Sequence, residues 1–169
     1  MKLREAKVLK NKLSSTIIEL NSNRTKNSVV ELTPGENPME YIAEKPEEVT
    51  KQIEKIHAEV LKLNELFRNA CNQEINVPEL NGKFSIAVLL DRVKFVRQEL
   101  GYFKSYASRL PKQRNRMLNN DLVSVVTYSI EDYKLKAKAL ENEALLLSNI
   151  IDELDNQVEI DYSLPEGLI

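Results

Sequence analysis

Apolar residues recur with alternating spacings of four and three over much of this sequence. The most regular run begins at Tyr133 and continues without interruption to Val158 through Ala137, Leu140, Ala144, Leu147, Ile151 and Leu154. This spacing places all of its members on one side of an α-helix, and it is the pattern by which helices pack lengthwise against each other. The sequence therefore predicts a long helix whose apolar side contacts a partner helix.

Two further segments repeat this alternation, from Val49 to Ala70 and from Ile86 to Ala107, and residues 2–22 show the spacing of an amphipathic helix. A helix is expected from Pro46 to about Cys71, because a proline followed by two glutamates suits the first turn of a helix. Residues 2–22, 84–108 and about 130–157 are expected to form the other helices. We therefore predict a mainly α protein, a bundle of four helices with long antiparallel hairpins and small β pieces in the connections.

The segments between the helices offer few candidates for strands. Leu122–Tyr128 is rich in β-branched residues and too short for a helix, which favours a strand. Val29–Leu32 is a shorter β-like run, and the asparagines at 21 and 23 are expected to end the first helix before it. Residues 72–83 are compatible with either a turn or a short strand pair.

Length and composition fit a single intracellular domain. The chain has 169 residues, and we expect one helical domain over 1–162 with a loosely ordered tail at 163–169. No apolar run approaches the ~18 residues that a membrane span needs, and the charged start lacks the apolar stretch of a signal peptide. The single cysteine, Cys71, excludes an internal disulfide and fits a reducing compartment. We therefore expect a cytoplasmic protein without a membrane span.

Motifs for catalysis and metal binding are sparse. The sequence holds one histidine and lacks a phosphate-binding glycine loop, a dinucleotide fingerprint and paired cysteines. Glu54 and His57 form one Glu-x-x-His motif, whereas di-metal helical bundles need it twice, so a solvated helix face explains the pair. Cys71 is better explained as a small apolar filler than as a reactive thiol. We expect no catalytic residue, no metal site, no cofactor and no enzymatic activity.

Charge is unevenly distributed along the last two helices. If these helices are antiparallel neighbours, Arg92, Lys94 and Arg97 should lie level with the acidic residues at 152, 153 and 155. At the other end, residues 104–138 hold eight lysines and arginines against three acidic residues. These cations cannot all be neutralised locally, which indicates an anion-binding site or a solvated basic loop.

The residues that we select as this candidate anion site are Arg109, Lys112, Arg114, Arg116 and Lys134. Arginine side chains match the geometry of phosphate, and the last helix is expected to present its N-terminal amides at the same end. Four aromatic residues beside the site either stack on a base or complete the core: Tyr102, Phe103, Tyr106 and Tyr128.

Short motifs spread over most of the chain carry a family resemblance. They are Met1-Lys2-Leu3 with Glu5-Ala6, the turn Gly35-Glu36-x-Pro38, the helix end Arg68…Asn72, and Asn81-Gly82 before the third helix. With the arginine-containing loop ahead of the last helix, they resemble the small bacterial and phage proteins labelled septicolysin-like. The chain departs from that family in reading Asp91-Arg92 instead of Arg-Asp and in lacking a C-terminal Asn-Trp. The resemblance implies a helical, oligomeric protein, and the family label suggests a cytolysin.

Three functions remain open from the sequence. The first is a non-enzymatic helical homo-oligomer that acts by self-association or by binding a partner. The second is a sequestering protein, such as a phage anti-defence protein, which binds an anionic small molecule such as a cyclic nucleotide at the basic hairpin tip. The third is a membrane-active cytolysin. We expect no nucleic-acid partner.

Overall fold

The computed structural model describes residues 1–37, 40–42, 44–114 and 123–168. Within these ranges the elements are α1 (Leu3–Asn27), α2 (Pro46–Asn72), β1 (Glu74–Val77), β2 (Gly82–Ser85), α3 (Ile86–Ala107), β3 (Lys112–Arg114), β4 (Val123–Val125) and α4 (Ile130–Gln157). A 3₁₀ turn at Pro78–Leu80 joins β1 to β2. The predicted mainly α class is confirmed, with long helices and two small antiparallel sheets in the connections.

The predicted apolar seams are the buried sides of their helices. The seam of α4 is buried or half-buried at every position from Ala137 to Leu154, and Leu147 is fully enclosed. In α2, Val49 and Leu63 are enclosed to the same degree. Complete burial of one such side chain stabilises a fold by roughly 1.5–3 kcal/mol. The regular spacing in the sequence therefore reports which side of each helix faces the core.

By contact density the chain forms two compact units, Met1–Cys71 with Asp155–Ile169, and Asn72–Leu154. In the first unit the start of the chain pairs with the segment after α4. The amide of Leu3 donates to the carbonyl of Val158 at 2.9 Å, and the amide of Ile160 donates to the carbonyl of Met1 at 2.8 Å. The expectation of one domain over 1–162 with a loose tail stays a prediction.

Helix α1 is longer than the sequence predicted. It continues through residues 21–23 to Asn27. The side-chain amide of Asn21 donates to the carbonyl of Ile17 at 2.9 Å, and its side-chain oxygen accepts from Arg24 at 2.7 Å. Because these bonds hold the Asn21 side chain against its own helix, it does not bind a backbone group beyond the helix. Such a bond is the way in which asparagine often ends a helix.

Helices α3 and α4 form an antiparallel hairpin in the second unit. The ring of Phe103, near the end of α3, lies 5.2 Å from the ring of Tyr133, in the first turn of α4. Arg92, eleven residues before Phe103, donates to Glu143, ten residues after Tyr133, at 2.7 Å. Offsets that agree to within one residue, in opposite directions along the chain, are those of two antiparallel helices packed side by side.

The predicted pairing of the hairpin charges is wrong for Arg92 and for Asp155, which bind other partners. Arg92 binds Glu143, and Arg97 donates to the hydroxyl of Ser148 at 2.9 Å. The contact of Phe103 with Tyr133 fixes which residues of α3 and α4 lie level. The prediction instead placed residues 92–97 of α3 level with residues 152–155, at the end of α4. In the first unit, Asp155 pairs with Lys7.

The connection between α2 and α3 is a strand pair. Strands β1 and β2 are antiparallel, with Ile75 opposite Phe84 and Val77 opposite Gly82. Asn81 turns the chain at a φ of 52°, a left-handed conformation that asparagine adopts more readily than most residues. The strand pair is therefore the alternative that the structure selects for residues 72–83.

Of the other two strand predictions, the one over 122–128 is partly correct and the one over 29–32 is wrong. The strand expected over 122–128 is confined to Val123–Val125, which pairs with Lys112–Arg114, and residue 122 lies outside the described ranges. Tyr128 is outside the strand because it packs against other aromatic rings. Val29–Leu32 is not a strand: Val29 is exposed, and the segment has no neighbouring strand among the described residues.

Candidate functional site

The hairpin tip comprises residues 104–114 and 123–138, where α3, β3, β4 and the start of α4 meet. Its centre is an aromatic cluster. The ring of Tyr133 lies 5.2 Å from Phe103, 5.3 Å from Tyr106 and 4.8 Å from Tyr128. The hydroxyl of Tyr128 donates to the carbonyl of Tyr106 at 3.0 Å, so its polar end is also satisfied. These aromatic residues complete the core of the tip, whereas Tyr102 points to solvent outside the cluster.

The tip brings two of the five predicted anion-site residues into one groove. Arg109 and Lys134 both line an open groove of about 570 Å³, together with Pro111, Val126 and the start of α4. The Arg109 guanidinium also lies over the ring of Tyr106, at 5.3 Å from its centre. This contact holds an exposed cation beside the groove.

Lys112, a third member of the predicted set, does not line that groove. Lys112 lies on β3 opposite Val125, with an exposed side chain. Arg114 pairs through its backbone with Val123. Arg116 lies outside the described residues. Among the predicted set, the described geometry therefore supports Arg109 and Lys134 as a pair.

The positive charge of the tip is smaller than the residue count indicates. Lys104 binds Glu141 at 2.8 Å, and Lys134 binds Glu131 at 3.2 Å. The hydrogen bond from Lys104 lowers the pKa of Glu141. Glu141 lies beyond residues 104–138, over which the charges of the tip were compared in the sequence. Within the described residues, four cations of the tip form no ion pair: Arg109, Lys112, Lys136 and Lys138.

The start of α4 is less available to an anion than the sequence indicated. The hydroxyl of Ser129 accepts from the amide of Asp132 at 3.2 Å, so one free amide of the first turn is already capped. Glu131 and Asp132 place two carboxylates in the same turn. Negative side chains there already compensate the helix dipole and repel a second anion. An anion at the tip would therefore be held by side-chain cations rather than by the α4 amides.

The outer sides of α3 and α4 expose apolar side chains, which we call together the apolar face. On α3, Val88 and Phe95 lie four residues before and three residues after Arg92, so both adjoin Arg92 on the helix surface. Arg92 itself pairs with Glu143 of α4. The apolar face comprises the exposed residues Val88, Phe95 and Tyr102 of α3 with Leu135, Ala139 and Leu146 of α4.

The apolar face lies outside the buried seams of both helices. Phe95 is 62 % exposed and Leu135 63 % exposed, although Val93 and Val96 on the inner side of α3 are buried. This face was not predicted from the sequence, because the four–three spacing identifies only the inner sides of these helices. Val88, Phe95 and Tyr102 follow each other at intervals of seven, and this spacing is the signal that could have revealed it.

A polar contact in the first unit was also missed. The carboxylate of Glu59, on the buried side of α2, accepts from Lys62 at 2.6 Å and from the hydroxyl of Tyr162 at 3.0 Å. The bond from Lys62 lowers the pKa of Glu59. Burial and the bond to Glu59 raise the pKa of Tyr162 to about 12. Because the Glu59 carboxylate and the Tyr162 hydroxyl bind each other, we interpret this contact as one that stabilises the fold and not as a binding site.

The isolated chemical motifs of the sequence, Glu54 with His57 and the thiol of Cys71, belong to the first unit. Glu54 and His57 are both exposed on α2. Among the described residues, no three histidine, cysteine or acidic side chains are grouped closely enough to hold a metal ion. Cys71 is buried, and burial raises the pKa of its thiol, which lowers the reactive thiolate fraction.

Comparisons with known proteins bear on the fold alone. No family model matches the chain, and no curated protein matches it. Among solved structures, the chain is similar to a functionally unknown conserved protein from Corynebacterium diphtheriae, with a TM-score of 0.67 and 19% sequence identity. The match covers 95% of this chain and 99% of that chain. No helix in the described ranges is long and apolar enough to cross a membrane. The septicolysin-like resemblance stays a prediction.

Proposed function

We propose that this protein acts without catalysis, by associating with a second copy of itself through its helices. The observation that supports this proposal is the apolar face. Phe95 and Tyr102 expose more than half of their surface, on a helix whose inner side is already covered by the core. Large apolar side chains that adjoin on one surface indicate a binding surface, whereas single exposed ones are ordinary.

Measurement of the mass in solution tests this proposal. We expect light scattering coupled to size exclusion to give a multiple of the 19.4 kDa chain mass, with dissociation on dilution. A mass of one chain at every concentration would contradict self-association. Because the mass is read without a ligand, the result does not depend on the hairpin tip.

A second candidate function is capture of an anionic small molecule at the hairpin tip. It is supported by Arg109 and Lys134, which line the same groove, and by the absence of an ion pair for Arg109 among the described residues. An arginine beside a lysine suits a phosphate-bearing molecule such as a nucleotide. At this site the anion would be held by side-chain cations and not by the N-terminal amides of α4.

A thermal-shift screen with mono-, di- and cyclic nucleotides tests the tip. A ligand that binds only the folded chain raises Tm, by an amount that grows with its concentration. We expect Arg109→Ala and Lys134→Ala each to abolish a shift seen with the native protein. Lys136→Ala is the matched control, because Lys136 lies over Tyr133 and does not line the groove. Shifts that survive both groove variants would contradict the site.

Two further expectations remain proposals. Burial of the free thiol of Cys71 is compatible with a reducing compartment, as expected for a cytoplasmic protein. The cytolytic activity suggested by the family label would be tested by dye release from liposomes.

A further inference from the structure

We propose that the apolar face binds the same face of a second copy, with α3 antiparallel to α3 of that copy and a two-fold axis beside Phe95. This inference rests on the proposed self-association and adds to it a surface and a symmetry. A two-fold interface uses one patch twice, so the patch must be complementary to itself when reversed.

The apolar residues of α3 meet this requirement. Val88 lies seven residues before Phe95, and Tyr102 lies seven residues after it. Seven residues of helix span about 10.5 Å. Reversal about Phe95 therefore places Val88 opposite Tyr102 of the second copy and each Phe95 beside the other. All three side chains are more than half exposed in the single chain and are available for this contact.

One pair of charges on α3, Arg92 and Glu99, is also complementary under the same reversal. Arg92 lies three residues before Phe95 and Glu99 four residues after it, on the same flank of the helix. The two-fold axis brings Arg92 level with Glu99 of the second copy to within one residue, about 1.5 Å of rise. A parallel arrangement would instead bring Arg92 level with Arg92 and Glu99 level with Glu99, which repel. The charge pattern therefore selects the antiparallel pairing.

Arg92 has the capacity for this second contact. Its Nε and one Nη donate to a single oxygen of Glu143, at 3.1 and 2.7 Å. A guanidinium carries five N–H donors, so others remain for a carboxylate of the second copy. Glu99 is half-buried and forms no ion pair within the described residues. Pairing across the interface would supply a partner that the described part of its own chain does not.

Sedimentation velocity with matched variants tests the surface. Phe95→Glu places a charge at the axis without disturbing the core, and we expect it to raise the dimer dissociation constant at least about tenfold. Leu61→Glu changes a similarly exposed residue of α2 and should leave the constant unchanged. Glu99→Lys should weaken the dimer because it faces Arg92, whereas Glu65→Lys, on the exposed side of α2, should not.

Cysteine cross-linking tests the symmetry. Phe95→Cys should form a disulfide-linked dimer under mild oxidation, because two copies of this position meet at the axis. Leu145→Cys changes an equally exposed residue on the other flank of α4 and should not form this dimer. The native chain is the control for cross-linking through the buried Cys71. Dissociation by Phe95→Glu without cross-linking by Phe95→Cys would overturn the two-fold geometry.

The failures of the two proposals are distinguishable. A monomeric native protein contradicts both the self-association and this interface. A native oligomer that Phe95→Glu and Glu99→Lys leave intact contradicts only this interface, and self-association would then use another surface.

Discussion

Glu59 and Tyr162 show how strongly a single polar contact is determined by the packed chain. Glu59 belongs to α2, and Tyr162 follows α4 by five residues, yet the hydroxyl of Tyr162 donates to the carboxylate at 3.0 Å. Lys62 completes the contact at 2.6 Å. An acidic residue on the buried side of a helix is costly unless such partners satisfy it. The contact therefore ties the segment after α4 to α2.

Tyr162→Phe is expected to lower the free energy of unfolding by about 1 kcal/mol at neutral pH, the usual value of one hydrogen bond. The folded-state pKa of Tyr162 is raised from 10.0 to about 12, so the native chain holds this proton more tightly than the unfolded chain. The resulting stabilisation is complete below pH 10 and is lost as the pH rises through 12. Urea unfolding of both proteins across this range checks it.

In that experiment the difference between native protein and variant should shrink above pH 10, because the native protein alone loses the contribution of Tyr162. Tyr41→Phe changes a more exposed tyrosine and serves as the control. A difference that stays constant from neutral pH into this range would show that the hydroxyl of Tyr162 is not responsible.

At the level of elements, the sequence of a helix predicts the helix and its buried side. It does not predict the register of that helix against its neighbour. The four–three spacing of α4 identified its buried side, which includes Leu147 and Leu154. The same spacing does not specify which residues of α3 lie opposite. That register follows from the contact of Phe103 with Tyr133 and places Arg92 on Glu143.

Leu147→Ala and Leu145→Ala separate the two sides of α4. Leu147 is fully buried, and we expect its truncation to destabilise the chain by about 3 kcal/mol through lost burial and a residual cavity. Leu145 is 62% exposed, and its truncation should change stability by less than about 0.5 kcal/mol. Chemical denaturation of both variants is the measurement. Equal losses would mean that the buried side of α4 is misassigned.

For the whole molecule, the two chain ends are the most distant segments that the fold joins. The amide of Ile160 donates to the carbonyl of Met1 at 2.8 Å, and the amino group of Met1 donates to the carbonyl of Ile160 at 2.8 Å. Ile160 is also buried. Closing so long a loop costs entropy, which these bonds and the buried side chain together offset.

Truncation after Gln157 should therefore lower Tm by several degrees, because it removes Ile160, Tyr162 and their bonds to Met1 and Glu59. Truncation after Ser163 retains all of these contacts and should lower Tm much less. Differential scanning calorimetry of the two shortened chains provides the comparison. Equal melting temperatures would show that the segment 158–163 contributes little to stability.

The hairpin tip was predictable in part. The clustering of Arg109 and Lys134 followed from their positions at either side of the α3–α4 connection, and the structure places both along one groove. The neutralisation of Lys104 by Glu141 did not follow, because the partner is a distant residue brought close by the helix register. Capping of the α4 amides by Ser129 is local, and the Ser129–Asp132 spacing in the sequence is consistent with it.

The sequence by itself determined the long helices, their buried sides and the absence of an internal disulfide, because periodicity and composition act within a segment or over the chain as a whole. Only the tertiary structure decided the register of α3 against α4, the partners of Glu59 and Arg92, and the exposure of Phe95. These depend on which residues of separate elements meet. That choice is made by packing and shape, which a local pattern does not encode.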